Sequence, residues 1–211
     1  SVFLDRSLRL PPAFAGMTNF RYLIAGVIAQ EAKMKIDREE SWYIFLFSES
    51  YFTCPSDTGS YITYQDKRLT NKEYLEHWGK WVFLGTKEEI DQMAEKLDPY
   101  VESEDIPCIK YDRAPQHWFE MEECVMCVYC DDREKDKVWK ILSKFGVKVR
   151  GWSYEREVIK KWMGGGLHLE RWIANHKLSE EDAEKLREEA RKKYEKRFFE
   201  NPNDICLGWE Q

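Results

Sequence analysis

Between Gly79 and Glu155 the spacing of hydrophobic positions changes repeatedly from that of a strand to that of a helix. Four short runs have the length and the β-forming residues of strands, namely GKWVFLG, IPCIKYD, CVMCVYC and VKVRGWSYE. Two intervening segments, TKEEIDQMAEKLDPYV and DREKDKVWKILSKFG, carry apolar residues at helical spacing. The order strand–helix–strand–strand–helix–strand predicts an α+β protein with a ferredoxin-like βαββαβ core over residues 79–154.

Both core helices carry a predicted N-terminal cap. Glu89 follows Thr86 by three residues and Glu134 follows Asp131 by three, which is the spacing of a capping box. The apolar stripes behind these caps would pack on one sheet face, at about 1.5–3 kcal/mol for each fully buried large side chain. The other face then needs a cover from the N-terminal part, from the C-terminal helices or from a partner.

The N-terminal part predicts a helix followed by β structure. Residues 18–35 have helical spacing, and the continuous apolar run Trp42–Phe47 predicts a strand that is buried on both faces. Residues 42–64, with a Pro-Ser-Asp-Thr-Gly turn between two β-forming runs, predict a hairpin or a meander. We therefore expect one α+β domain over residues 17–154.

The C-terminal part, residues 155–211, predicts a helical extension packed on or beside the core. Helical patterns flank Gly164–Gly166, and three consecutive glycines mark a break between two helices. Ser179 is a predicted cap for a further, highly charged helix that extends to about Phe199, and Pro202 ends it.

Residues 1–16 have no periodicity and contain a Pro11-Pro12 break. The phrase PPAFAGMT resembles conceptual translations of dispersed bacterial repeat DNA that precede a true start. The resemblance covers this stretch alone and implies a bacterial source, an unstructured upstream extension and a start at Met17. N-terminal mass spectrometry of the native protein tests this hypothesis, because peptides from residues 1–16 contradict it.

Composition narrows the classes of function. The chain has 211 residues, 34% of them charged, and a net charge of −6, which argues against bulk electrostatic attraction to nucleic acid or anionic lipid. The longest apolar run, Leu23–Ala29, is too short to span a membrane, and a weak signal peptide is the alternative interpretation of it. Six cysteines in a long, charged chain favour reduced thiols and a cytoplasmic location.

The spacing Cys124-x-x-Cys127-x-x-Cys130 is the most conspicuous chemical motif. On a loop, three thiolates at this spacing could bind zinc or an iron–sulfur cluster. On a strand, side chains alternate between faces, so Cys127 would point away from the other two. The β-forming residues between the cysteines favour the strand. We expect plain strand cysteines and no cofactor, with a metal or redox site as the alternative.

Two further motifs have weak catalytic or ligand-binding potential. The N–H groups around Gly165 could bind a phosphate at the start of the following helix, although a hinge between two helices is the simpler interpretation. His168 could act as a base, but no nucleophile accompanies it. We assign no catalytic residue, and an enzyme is less favoured than a binding protein.

The remaining candidates would form binding surfaces. Arg191, Lys192 and Arg197 cluster on the last helix, among glutamates that are spaced for ion pairing. The long loop after the second strand-like run, IPCIKYD, contains further polar and aromatic candidates, Arg113, His117 and Trp118. Aromatic residues of the predicted sheet could stack on RNA bases, namely Trp81, Phe83, Tyr111, Tyr129 and Trp152.

These features predict a non-catalytic interaction or regulatory module, or an accessory subunit of a bacterial cytoplasmic complex. Its partner would be another protein or a second copy of the chain, and no membrane is expected. One alternative is an RNA- or nucleotide-binding protein that uses the aromatic sheet face. The other is a metal or redox protein that uses Cys124, Cys127 and Cys130.

Overall fold

The computed structural model describes residues 33–37, 43–48, 52–53, 61–116, 120–146 and 149–207. The strands are β1 (Lys33–Asp37), β2 (Tyr43–Ser48), β3 (Phe52–Thr53), β4 (Tyr61–Tyr64), β5 (Lys67–Arg68), β6 (Trp78–Gly85), β7 (Cys108–Asp112), β8 (Cys124–Asp131) and β9 (Val149–Tyr154). The helices are α1 (Asn71–His77), α2 (Lys87–Glu102), α3 (Lys135–Ser143), α4 (Glu155–Trp162), α5 (Leu167–Asn175) and α6 (Glu180–Ala190), which continues as a π-helix over Arg191–Glu200. No helix within these ranges has the length and apolar character needed to cross a membrane.

The α+β class is confirmed. Six strands form the main sheet in the order β1-β2-β7-β8-β6-β9, and all neighbouring strands are antiparallel. This sheet is wider than the four strands of the predicted core, because β1 and β2 extend it beyond β7. A second sheet of three strands, β3-β4-β5, lies apart from it.

The N-terminal expectations need correction where the structure describes them. The predicted extension, residues 1–16, and most of the predicted helix 18–35 lie outside the described residues. The end of that helix is instead part of strand β1, all five residues of which pair with β2. The single hairpin or meander predicted over residues 42–64 is also wrong: β2, buried on both faces, lies inside the main sheet, and β4 pairs with β3.

The caps form as predicted with one exception. Thr86 and Glu89 make a complete capping box on α2, and Ser179 accepts a hydrogen bond from the N–H of Asp182 at the start of α6. Asp131 instead caps a short 3₁₀ turn by accepting the N–H of Arg133, and α3 begins after this turn. The polar turn residues therefore begin a tighter helix than the sequence pattern predicted.

Each face of the main sheet has its own hydrophobic core. Helices α2 and α3 cover one face, where Leu97 and Leu142 pack against Ile109 and Val128. The C-terminal helices cover the other face, where α4, α5, α6 and the π-helix contribute to one cluster with residues of β2, β7 and β8. The second sheet face, for which the sequence left three possible covers, is thus covered by the C-terminal helices of the chain itself.

Candidate functional site

Two lysines lie buried between the sheet and the C-terminal helices. Lys80 on β6 and Lys110 on β7 are 6% and 8% exposed. Strand alternation points both side chains to the sheet face under the C-terminal helices. There Lys80 pairs with Tyr129 of β8, and Lys110 pairs with Cys127 of the same strand. Buried lysines are rare unless they are paired, so their partners determine what this layer can do.

The partner of Lys80 is the first residue of α4. Lys80 Nζ lies 2.6 Å from Glu155 Oε1, and the Glu155 side chain is fully buried. The same ammonium group donates to the Tyr129 hydroxyl at 3.4 Å. Neither oxygen of Glu155 has hydrogen-bond geometry to a donor in the described part of the chain, so the contact is an ion pair, whose Coulomb attraction favours an arrangement in which α4 begins beside Lys80.

The three cysteines of the conspicuous motif do not converge. Cys124 and Cys130 belong to the core under α2 and α3, whereas Cys127 belongs to the core under the C-terminal helices. Burial raises the pKa of all three thiols, which keeps them neutral near pH 7. The predicted alternation on a strand is therefore observed.

Within the described ranges, one group of three potential metal ligands lies close together: His77, Asp131 and Asp132. Its carboxylates are already engaged. Arg133 donates to both oxygens of Asp131, at 2.7 and 2.6 Å, and Asp132 lies 3.0 Å from the His77 ring and accepts from Tyr154. Internal hydrogen bonds thus account for this group.

The glycine triplet forms a tight turn between α4 and α5. Gly165 has a φ of +78°, and a Cβ on Gly166 would come within 2.5 Å of the Lys161 carbonyl oxygen. The Gly165 N–H donates to Glu170 Oε1 at 3.1 Å, and Arg187 holds that same carboxylate. The place where a phosphate was considered is therefore occupied by a carboxylate of the chain itself.

His168 lies beside this turn, and its ring packs 5.4 Å from that of Trp162. Burial lowers the pKa of His168 to about 4, so the ring is neutral near pH 7. A neutral, partly buried imidazole suits packing against the Trp162 ring.

The sheet aromatics do not form an open stacking surface. Phe83, Tyr111 and Tyr129 are 1%, 5% and 7% exposed. The half-buried Trp152 packs 5.4 Å from Trp81, where Gly79 leaves room for its ring. Stacking of RNA bases on Phe83, Tyr111 or Tyr129 would require a helical layer to move away.

The loop candidates are only partly described. Arg113 is half-buried just after β7, and His117 and Trp118 lie outside the described residues. Glu120, further along this loop, pairs with Arg171 of α5 at 3.1 Å. This ion pair brings the loop next to the C-terminal layer, although it does not bring the candidate residues together into one site.

The basic cluster on the π-helix is paired internally. Arg191 lies 3.0 Å from Glu188 and 3.5 Å from Glu200, and Lys192 lies 3.7 Å from Glu188. Arg197 donates to the Leu207 carbonyl oxygen. These contacts are typical of a solvated helix face with its own ion pairs.

A surface groove lies between α1, α4 and the end of the π-helix. It has a volume of about 240 Å³ and is lined by Lys72, Leu75, Glu76, Arg156, Lys160, Phe198, Phe199 and Pro202. Phe198 is buried, but Phe199 is 39% exposed. The groove thus combines an apolar floor with a charged rim.

The walls of this groove are held from below. Asn71 donates to the carbonyl oxygens of Arg197 and Asn201, both at 2.9 Å, which fastens α1 to the π-helix. The Tyr74 and Phe198 rings stack 5.7 Å apart beneath it. Together with the Lys80–Glu155 pair under α4, these contacts fix all three walls.

A second groove, of about 340 Å³, lies between β2, β7 and α2 and has an acidic rim that includes Asp91 and Glu95. Its floor residues Ile44, Leu46 and Tyr111 are at most 7% exposed. The exposed lining of this groove is more polar than that of the groove beside Phe199, which is therefore the stronger candidate for apolar anchors.

Comparison of the chain with protein-family models, with curated proteins and with solved structures gave no match.

Sequence reasoning missed the residues that build this site. The burial of Lys80 could have been predicted, because strand alternation places it on the same face of an apolar strand as Val82. The exposure of one of Phe198 and Phe199 could also have been predicted, because two adjacent residues of a helix cannot both face the core. Glu155 gave no such signal: it looks like an ordinary acidic residue at the start of a helix.

Proposed function

We propose that this protein is a non-catalytic interaction module that binds a protein partner in the groove between α1, α4 and the π-helix. The observation that carries the proposal is the exposure of Phe199 in a groove whose walls are fixed. Exposed aromatic side chains in preformed pockets are typical anchors of protein interfaces. A groove that needs no ordering loses less free energy on binding.

The proposal extends to the fold and the location. The order β7-β8-β6-β9 supports a ferredoxin-like core within the wider sheet, because each strand–helix–strand unit encloses a strand of the other unit. A cytoplasmic location is supported by the free thiols of five described cysteines, since reducing compartments keep cysteines in that form.

Site-specific photocrosslinking in the native cells tests the proposal. A photoreactive amino acid at Glu76 lies in the groove, and the same group at Lys192 lies outside it on the π-helix. We expect a discrete protein adduct from position 76 that is absent from position 192. The adduct should disappear with Phe199→Ser and persist with Leu167→Ser, which alters an apolar side chain that is 68% exposed elsewhere.

The mass of the adduct identifies the partner, and a mass of two chains shows self-association. Absence of any adduct from position 76, or an adduct that does not depend on Phe199, contradicts the proposal. Light scattering after size exclusion checks that each variant keeps the oligomeric state of the parent protein.

A further inference from the structure

The groove beside Phe199 is too small for a typical small-molecule ligand. Its volume of about 240 Å³ lies below the roughly 300–1,000 Å³ of such pockets. A groove of this size suits apolar side chains that project from a longer segment, as in peptide-recognition grooves. Its floor of Leu75, Phe198, Phe199 and Pro202 matches such anchors better than it matches a polar nucleic-acid backbone.

The rim of the groove is positively charged on a negatively charged protein. Lys72, Arg156 and Lys160 are cations and Glu76 is the one carboxylate in the lining, which gives 3 − 1 = +2. The chain as a whole has a net charge of −6. A local excess of cations on such a surface attracts an acidic segment and repels a basic one.

The cations are exposed and weakly engaged. Their side chains are 63%, 39% and 56% exposed for Lys72, Arg156 and Lys160. Lys72 pairs with Glu76 at 3.9 Å, while Glu157, from outside the lining, lies 3.4 Å from Arg156 and 3.7 Å from Lys160. Exposed pairs of this kind contribute about 0–1 kcal/mol, so carboxylates of a partner can replace them at little cost.

Arg156 is positioned to receive a carboxylate. Its guanidinium lies 4.3 Å from the centre of the Tyr154 ring, and this stacking limits its motion. The planar group can then donate two parallel hydrogen bonds to one carboxylate. Glu155, next to it in sequence, is buried against Lys80, whereas the Arg156 side chain is 39% exposed.

We infer that the partner segment is an acidic peptide whose apolar side chains enter the groove while its carboxylates contact Lys72, Arg156 and Lys160. The inference rests on the proposed function. It adds that the partner segment is negatively charged and carries apolar anchor side chains.

Fluorescence anisotropy with three labelled synthetic peptides tests the inference. The first alternates Asp and Glu with Leu and Phe, the second replaces the acidic residues by Lys, and the third keeps the acids but replaces Leu and Phe by Ser. We expect the first peptide to bind at least about tenfold more tightly than the other two, because charge and anchors both contribute. Its affinity should fall as salt increases.

Variants of the protein locate the binding. Lys160→Glu and Lys72→Glu should each weaken the first peptide about tenfold, since like charges then face each other, and Phe199→Ser should weaken it at least as much. The matched control is Lys192→Glu, which reverses an equally exposed charge outside the groove and should leave the affinity unchanged. Circular dichroism verifies that each variant is folded.

The inference is overturned if the first peptide fails to bind, if the Lys peptide binds as tightly, or if the groove variants bind like the parent. Tighter binding of a single-stranded RNA oligonucleotide, lost with Lys160→Glu, would overturn it in favour of nucleic acid. A Phe199-dependent protein adduct from position 76 would still support the interaction module after any of these results, so the two proposals fail separately.

Discussion

The two faces of the main sheet are both buried, but their chemistry differs. Under α2 and α3 the core is built from apolar side chains such as Leu97 and Val128. Under the C-terminal helices the sheet also buries Lys80, Lys110 and Asp112, and α4 adds Glu155. One face is held by contacts that do not depend on direction, and the other includes contacts that do.

This difference connects the core with the surface groove. Apolar contacts can be exchanged for other apolar contacts, whereas two buried opposite charges 2.6 Å apart lose Coulomb energy in a low dielectric when they are separated. Buried ion pairs contribute uncertain net stability but can select one arrangement over others. Our hypothesis is that the Lys80–Glu155 pair selects the orientation of α4 that places Arg156 and Lys160 on the groove rim.

The largest predicted effect comes from breaking that pair. Glu155→Leu leaves Lys80 buried without an opposite charge and should lower the free energy of unfolding by about 3–5 kcal/mol. The double variant Lys80→Met/Glu155→Leu removes both charges and should recover most of this loss. Urea unfolding followed by circular dichroism measures both values.

The matched control is Leu97→Ala in the core under α2 and α3, which we call the apolar face of the main sheet. It should cost about 2–5 kcal/mol through a cavity, and Lys80→Met should add to that cost without rescuing it. If the double charge variant is no more stable than Glu155→Leu, the pair is not coupled and the directional account of this face fails. Peptide binding by the double variant then tests the hypothesis about α4, which expects weaker binding even in a stable protein.

The second-largest effect is a pH dependence of the free energy of unfolding. We expect it from the sheet face under the C-terminal helices, which we call the polar face, and not from the apolar face. Asp112 is buried and accepts hydrogen bonds from the Val125 N–H and from Gln116, at 2.8 and 2.6 Å. Burial raises the pKa of Asp112 from 3.8 to about 6, although Lys110 opposes the shift. Because the folded state binds the proton more tightly, this group favours folding most below pH 4, and that contribution is lost as pH rises to about 6.

The full contribution of Asp112 corresponds to about 3 kcal/mol, since one pKa unit is 1.36 kcal/mol. Asp112→Asn should therefore remove a decline in stability between about pH 4 and pH 6, measured by urea unfolding at a series of pH values. Val128→Ala on the other face should keep the decline of the parent protein. An unchanged pH profile in Asp112→Asn would falsify this assignment.

The local elements were predictable because their signals are local. The capping residues Thr86 and Ser179 and the apolar runs of β6 and β8 determine helix starts and strands through nearby contacts. The alternation that separates Cys127 from its two neighbours follows from strand geometry alone. These predictions required no knowledge of which elements meet.

The groove was not predictable from the same signals. Phe199 and Lys72 are far apart in sequence, and they line the same groove because Asn71 joins α1 to the π-helix. Strand β2 illustrates the same limit, since its apolar run predicted burial on both faces but not its pairing with β7. Partner choice over such distances depends on the whole core, which a periodicity does not encode.

A smaller effect should appear at a close contact on the apolar side of the sheet. A Cβ on Gly79 would lie 2.4 Å from the Trp152 ring, so Gly79→Ala should cost about 1–3 kcal/mol through overpacking. Gly164→Ala is the control, because nothing lies within 4 Å of that added Cβ. Equal stability of the two variants in urea would show that the Trp152 ring moves freely, contrary to a tightly packed face.

The smallest effect concerns the surface of the polar side, where Arg187 holds Glu170 at 2.9 Å beside the glycine turn. Arg187 lowers the pKa of Glu170, so the stabilising effect is present above the unfolded pKa near 4.5 and is lost as pH falls. Both side chains are partly exposed, so Glu170→Gln should cost only about 0.5–1 kcal/mol at pH 7 and nothing in acid. Hydrogen exchange at the Gly165 amide should quicken in the variant at pH 7, because its acceptor then lacks a full charge. An unchanged exchange rate would mean that the tight turn is held by the backbone geometry of Gly165 and Gly166 alone.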